Sequence, residues 1–112
     1  LESDLSQEDK AEEYMKKAED ALEKAQSSSK ELEAQQQIKK AVEFALEATD
    51  LDPDNPEIWF RQGNIYLKLI DLDVKGAKAK AIESYEKAIE LDPGNDIYQK
   101  KLEEAKEAKV NP

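Results

Sequence analysis

The chain has 112 residues, enough for one modest core, with 38% hydrophobic and 39% charged residues and a formal net charge of -10. An acidic surface repels a phosphate backbone, so nucleic acid is not an expected partner. Cysteine and histidine are both absent, which removes disulfides, thiolate chemistry, the commonest general base and the commonest metal ligands. No apolar run approaches the roughly 18 residues of a membrane span, and no signal-peptide pattern opens the chain, so no membrane insertion is expected. With only 3 glycines there is no cluster that could cradle a phosphate, and no cofactor is expected.

The first element starts at Ser6. Ser6 and Asp9 have the spacing of a capping box, and Ala11, Met15, Ala18, Leu22 and Ala25 follow as one apolar stripe of a helix. Residues 1–5 read as a short leading segment. Ser27–Ser29 interrupt, because serine hydroxyls compete for backbone groups. Ser28 with Glu31 is the expected cap of a second helix carrying Leu32, Ile38, Ala41, Val42, Ala45, Leu46 and Ala48, with Phe44 off the main stripe. Pro53 stops it. Asn55 and Pro56 suit the cap and first turn of a third helix, lined by Ile58, Trp59, Gln62, Gly63, Ile65, Tyr66, Leu69 and Ile70. A break is expected at Asp71–Asp73, with Asp73 capping a fourth helix from Val74 to Leu91 that buries Ala77, Ala81, Ile82, Tyr85, Ala88 and Ile89. Asp92-Pro93-Gly94-Asn95 stops that helix. A fifth follows with Ile97, Tyr98, Leu102 and Ala105, fading toward Lys109 into a tail, Val110–Pro112. No segment alternates as a strand would, so the expected class is all-α.

Leu51-Asp52-Pro53-Asp54-Asn55 recurs as Leu91-Asp92-Pro93-Gly94-Asn95, and Ala41, Ala45 and Ala48 recur at the same offset as Ala81, Tyr85 and Ala88. Trp59, Gly63 and Tyr66 followed by Ala81, Tyr85, Ala88 and Pro93 resemble the two-helix signature of the tetratricopeptide repeat family. The resemblance is specific from Pro56 to Pro93 and loose before it. Gln62 stands where the family has leucine, and the stretch between Tyr66 and Ala81 is longer than the family spacing. It implies five antiparallel helices in a right-handed solenoid: a degenerate first hairpin over 6–53, a second over 55–93 and a closing helix over 95–109, in one domain over 1–112. The extended turn and the ending at Asn95–Ala108 are also similar to the plant mitochondrial outer-membrane import receptor, whose tetratricopeptide helices are stretched too. That likeness implies binding of amphipathic presequences. The membrane anchor such receptors need is not in this sequence.

Trp59 is expected in the core and Gly63 at a close helix approach. Tyr66 and Tyr85 are expected to pack, with their hydroxyls reaching water or a backbone carbonyl. Family members that grip an acidic tail use a lysine, asparagine and arginine clamp, and this chain has Phe60 and Asn64 at two of those positions. One asparagine does not make a clamp, so a basic or amphipathic helical peptide fits the charge better. Phe60, Arg61, Asn64 and Lys68 are the candidate groove residues. The acidic pairs, such as Asp50/Asp52 and Asp71/Asp73, read as solvated surface. The run Asp50–Asn55 lacks the glycine and closing glutamate of a calcium loop, so neither catalytic nor metal residues are expected.

Two readings of function follow. The first is an engineered or chimeric helical-repeat scaffold with no natural activity. It draws on the missing histidine and cysteine, the Ala/Glu/Lys richness and the loss of repeat character in the first half. The second is a natural tetratricopeptide-type adaptor that binds a basic or amphipathic peptide. On either reading the protein is expected not to be an enzyme, to require no partner and to be a monomer; its location is left open, soluble and cytoplasm-like if the protein is natural or recombinantly expressed. A dimer through the alanine-rich faces of the first and fifth helices is left open.

Overall fold

The computed structural model describes residues 6–110. Leu1–Leu5 and the Asn111–Pro112 end of the expected tail lie outside the described residues. Among the described residues five helices account for the regular structure: α1 (Gln7–Ser27), α2 (Glu31–Leu51), α3 (Pro56–Asp71), α4 (Ala77–Leu91) and α5 (Asp96–Glu107). The protein is all-α. The chain divides between Pro53 and Asp54 into two compact units.

In the first unit α1 packs on α2. Ser6 caps α1 as its spacing requires, accepting from the Asp9 N–H at 3.0 Å. The alanines Ala11, Ala18, Ala21 and Ala25 of α1 and Ala41, Ala45 and Ala48 of α2 are buried. Their small side chains let the two backbones approach closely, and Met15 and Leu22 supply most of the bulk. Phe44 faces its neighbour rather than solvent: its ring lies 6.0 Å from that of Tyr14, with the Lys17 ammonium over both rings.

Two expectations for α2 need correction. Ser28 does not cap it. Ser28 is the C-cap of α1, Lys30 holds the N-cap position of α2 without a side-chain bond, and the Ser28 hydroxyl accepts instead from the Lys30 N–H. Leu32 and Leu46 are not core residues: they are 68% and 44% exposed. Leu32 sits on the first turn of α2, outside the stripe that starts at Ala41. Thr49, which the apolar pattern passes over, is buried and donates its hydroxyl to the Leu46 carbonyl.

In the second unit α4 packs on both α3 and α5. Asn55 caps α3 through the Glu57 N–H, with Pro56 in its first turn. Asn95 caps α5 through the N–H groups of Ile97 and Tyr98. The link between α3 and α4 differs from expectation. Asp73 does not cap α4; it adopts φ 59° within the turn, and the helix begins at Ala77 after Gly76 at φ 80°. Two left-handed positions three residues apart are incompatible with helix from Val74 onward. Ile97 is 61% exposed and so is not part of the buried side of α5, which consists of Tyr98, Leu102 and Ala105. None of the described helices is long and apolar enough to cross a membrane.

Candidate functional site

The candidate site lies in the second unit, where α4 packs on both α3 and α5. On α3, Phe60, Asn64, Leu67, Lys68 and Asp71 recur at helical spacing and share one face. Phe60 is half-buried. Its ring lies 4.7 Å from that of Tyr98 on α5 and 5.8 Å from that of Tyr85 on α4. Three aromatic rings from three helices thus form the apolar end of the site.

Tyr85 is the centre of this cluster. It is 0% exposed, and its ring passes directly over Gly63. A Cβ at Gly63 would come within 2.5 Å of the Tyr85 ring. The Tyr85 hydroxyl does not reach water or a backbone carbonyl; it donates to Asn64 Oδ1 at 2.6 Å. Beneath it, Gln62 Nε2 donates to Ser84 Oγ at 3.0 Å, and Ser84 donates to the Lys80 carbonyl. Gln62, at the position where the repeat family has leucine, is therefore a buried polar residue whose cross-helix bond offsets the cost of its burial.

The charged end of the site is a cavity of about 330 Å³ lined by Leu67, Lys68 and Asp71 from α3 and by Lys101, Glu104, Glu107 and Ala108 from the α5 side. Lys101 pairs with Glu104 at 3.2 Å. Three carboxylates and two ammonium groups leave this end acidic. Of the sequence-derived candidates, Phe60 and Asn64 join the aromatic cluster, and Lys68 lines the acidic cavity. Arg61 is half-buried on α3 and lines neither feature. Trp59 is half-buried, Tyr66, Ala81 and Ala88 are buried, and Pro93 is exposed just past the end of α4. Sequence reasoning overlooked Leu67 and Asp71, which the 60–64–67–71 spacing on α3 could have supplied. It also overlooked Tyr98, Lys101 and Glu104, because which face of α5 meets α3 depends on packing through α4.

Two other cavities are less suited to a ligand. One of about 360 Å³, between Ile70, Val74, Gly76 and Lys78, is lined by the chain's own Val110, and Lys78 Nζ holds the Ala108 carbonyl at 2.7 Å beside it. The other, in the first unit, gathers Lys17, Lys24 and Lys40 around Phe44 with Asp20 the one acid. Its charge would repel a basic ligand. Among the described residues no group of acidic side chains is arranged to hold a metal ion.

The aromatic cluster also sets an alkaline limit. Burial, and secondarily the Glu104 charge, push the Tyr85 hydroxyl well above its ordinary value of 10.0. Burial likewise raises Tyr66, with Glu83 adding to it, and raises Tyr98, with Asp92 and Glu57 adding. Below pH 10 both folded and unfolded chains keep these protons and stability is unaffected. Above it the unfolded chain releases them while the folded chain holds them, so stability falls as pH rises. Tyr85 alone contributes a slope of up to about 1.4 kcal/mol per pH unit. Urea unfolding followed by circular dichroism from pH 8 to pH 11 should show a plateau and then this decline, shallower in Tyr85→Phe. An equal slope in that variant would remove Tyr85 as the cause.

Comparison with known proteins decides the family. The family model described as plant specific mitochondrial import receptor subunit TOM20 matches residues 3–110. The chain belongs to this family. None of the curated proteins matches it. The match corrects three expectations. The engineered or chimeric scaffold is wrong, and so is the restriction of the family likeness to a tetratricopeptide repeat in the second half. One natural family runs through α1 and α2 as well as α3 to α5, so there is no junction between a natural piece and an added one. The charge-rich, alanine-rich helices that prompted the scaffold reading have a simpler cause: long exposed helix faces, and alanine where α1 meets α2. The cytoplasm-like setting is also wrong, since the TOM20 family is one of mitochondrial import receptors. A receptor subunit is not an enzyme, and this member of the family is not one.

Proposed function

We propose that this chain is the presequence-binding portion of an import receptor acting at the mitochondrial surface. Its ligand is an amphipathic peptide bearing lysine or arginine. The first unit is a helix hairpin over 6–53, and the second is a hairpin over 55–93 with a closing helix over 95–109. The groove along α3 and α5 is the binding face, with Phe60, Asn64 and Lys68 of the original candidates on it and Arg61 at its edge. The observation that carries this reading is the juxtaposition of the Phe60–Tyr98 ring pair with the acidic cavity of Asp71, Glu104 and Glu107 along one α3/α5 line. An amphipathic basic helix offers an apolar face and a cationic face side by side, which is the complement of that arrangement. The net charge of -10 adds attraction during encounter.

Calorimetric titration with a synthetic basic amphipathic helix tests the reading, with a scrambled peptide of the same composition as control. The expected result is micromolar binding to the amphipathic peptide only, weakened by added salt. Phe60→Ala should reduce affinity about tenfold, the equivalent of about 1.4 kcal/mol. Equal binding of the scrambled peptide, or none of either, overturns it.

A further inference from the structure

The side chain of Asn64 makes one hydrogen bond among the described residues, and it is to Tyr85. That bond engages the carbonyl end of the amide. Nδ2, with its two donors, has no partner among the described residues, and Asn64 is half-buried on the α3 face between Phe60 and Lys68. A primary amide attached through one rotatable bond to Cβ ordinarily turns freely and presents donor or acceptor equally. Here the reversed orientation is disfavoured: Nδ2 would then donate to the phenol oxygen, and the buried Tyr85 O–H would be left with no acceptor among the described residues. The partner hydroxyl belongs to a ring that is 0% exposed, that Phe60 abuts, and that passes close over Gly63. The donor end is therefore preorganised, and the ordering cost of fixing it does not fall on the ligand.

We propose that Tyr85 is a positioning residue for ligand recognition: by holding Asn64 Oδ1 it aims Nδ2 at a main-chain carbonyl of the bound peptide. The carbonyl is one of the last helical turn. An α-helix satisfies its own backbone except at its ends, where the final four carbonyls have no intrahelical partner. The ligand's C-terminal turn thus lies over Asn64. This inference rests on the peptide-binding reading and adds to it an orientation and a residue that never touches the ligand.

The test uses the full chain labelled with ¹⁵N and the same basic amphipathic peptide. In the parent protein, the Asn64 side-chain NH₂ resonances should shift on peptide addition. Tyr85→Phe keeps the ring and loses only the hydroxyl; it should weaken binding about tenfold while the circular dichroism spectrum stays helical. Asn64→Asp still accepts from Tyr85 but has no donor, and should weaken binding by a similar factor. The double variant should bind no more weakly than Asn64→Asp alone, because the hydroxyl acts only through the amide. If the parent binds and both single variants bind equally well, or if the double variant loses the product of the two factors, the positioning role is wrong while the peptide reading stands. If the parent does not bind, the peptide reading itself fails. Should Tyr85→Phe not fold, the Asn64 NH₂ resonances of the parent decide: no shift when the peptide binds overturns the positioning role.

Discussion

Gly63→Ala should lower the free energy of unfolding by about 2 kcal/mol. The sign is the informative part. In a helix interior, exchanging glycine for alanine normally gains about 1 kcal/mol by restricting the unfolded chain and improving helix propensity. At Gly63 the new methyl would lie 2.5 Å from Tyr85 Cε1 and 2.6 Å from Cδ1, well inside van der Waals contact. The ring cannot yield: it is fully buried, the Phe60 ring abuts it, and its hydroxyl is tied to Asn64. Relief has to come from moving α4 away from α3, which also breaks the Gln62–Ser84 bond. Gly94 is the internal control. It lies in the turn before α5, its added Cβ would meet nothing within 4 Å, and Gly94→Ala should change stability little. Urea midpoints of the two variants against the parent check this. A Gly63→Ala midpoint at or above the parent's would mean that α3 and α4 are not held together by this contact. The same variant should also bind peptide more weakly, since displacing the ring displaces Asn64.

That contact illustrates what the sequence made legible. Ser6, Asn55 and Asn95 identify helix starts because each supplies a side-chain acceptor where backbone N–H groups lack partners. The alanine stripe of α1 identifies a buried face because no polar residue intrudes on it, whereas that of α4 is legible although Ser84 is buried within it. Gly63 signalled a close approach, and Tyr85 was the ring expected to pack. What could not be read was the link between them, because the partner of the Tyr85 hydroxyl depends on the rotation of α3 against α4. The same holds for Phe60 and Tyr98, whose ring contact joins residues on helices separated by the whole of α4. Errors fell where local rules compete. Ser28 has the spacing of an N-cap but spends its hydroxyl on Lys30. Asp73 is a favoured capping residue but takes a left-handed conformation that asparagine and aspartate tolerate better than most. The misreading of origin had a different source. The tetratricopeptide signature fades in α1 and α2, and alanine-rich amphipathic sequence without other motifs is compatible with both a natural helix pair and a made one.

Met15→Ala should be costlier still, at about 3 kcal/mol, with the loss concentrated in the first unit. Met15 is 0% exposed and is the largest fully buried side chain of α1 and α2; Leu22 is nearly buried, and the remaining apolar core of that unit is alanine. A helix pair built on alanine gains close backbone approach but buries little area per residue, so a single large side chain carries a disproportionate share of its hydrophobic stabilisation. Removing it leaves a cavity that Ala11 and Ala18, one turn either side on α1, are too short to fill. Met15→Leu, which keeps the volume, should cost less than about 1.5 kcal/mol. Amide hydrogen exchange distinguishes a local from a global effect. Protection of the Ala18–Ala25 and Ala41–Ala48 amides should fall sharply in Met15→Ala while that of Ile65–Ile70 on α3 falls less. Equal loss across all five helices would mean that the two units unfold as one, and an unchanged first unit would mean that its stability resides in the alanine contacts after all.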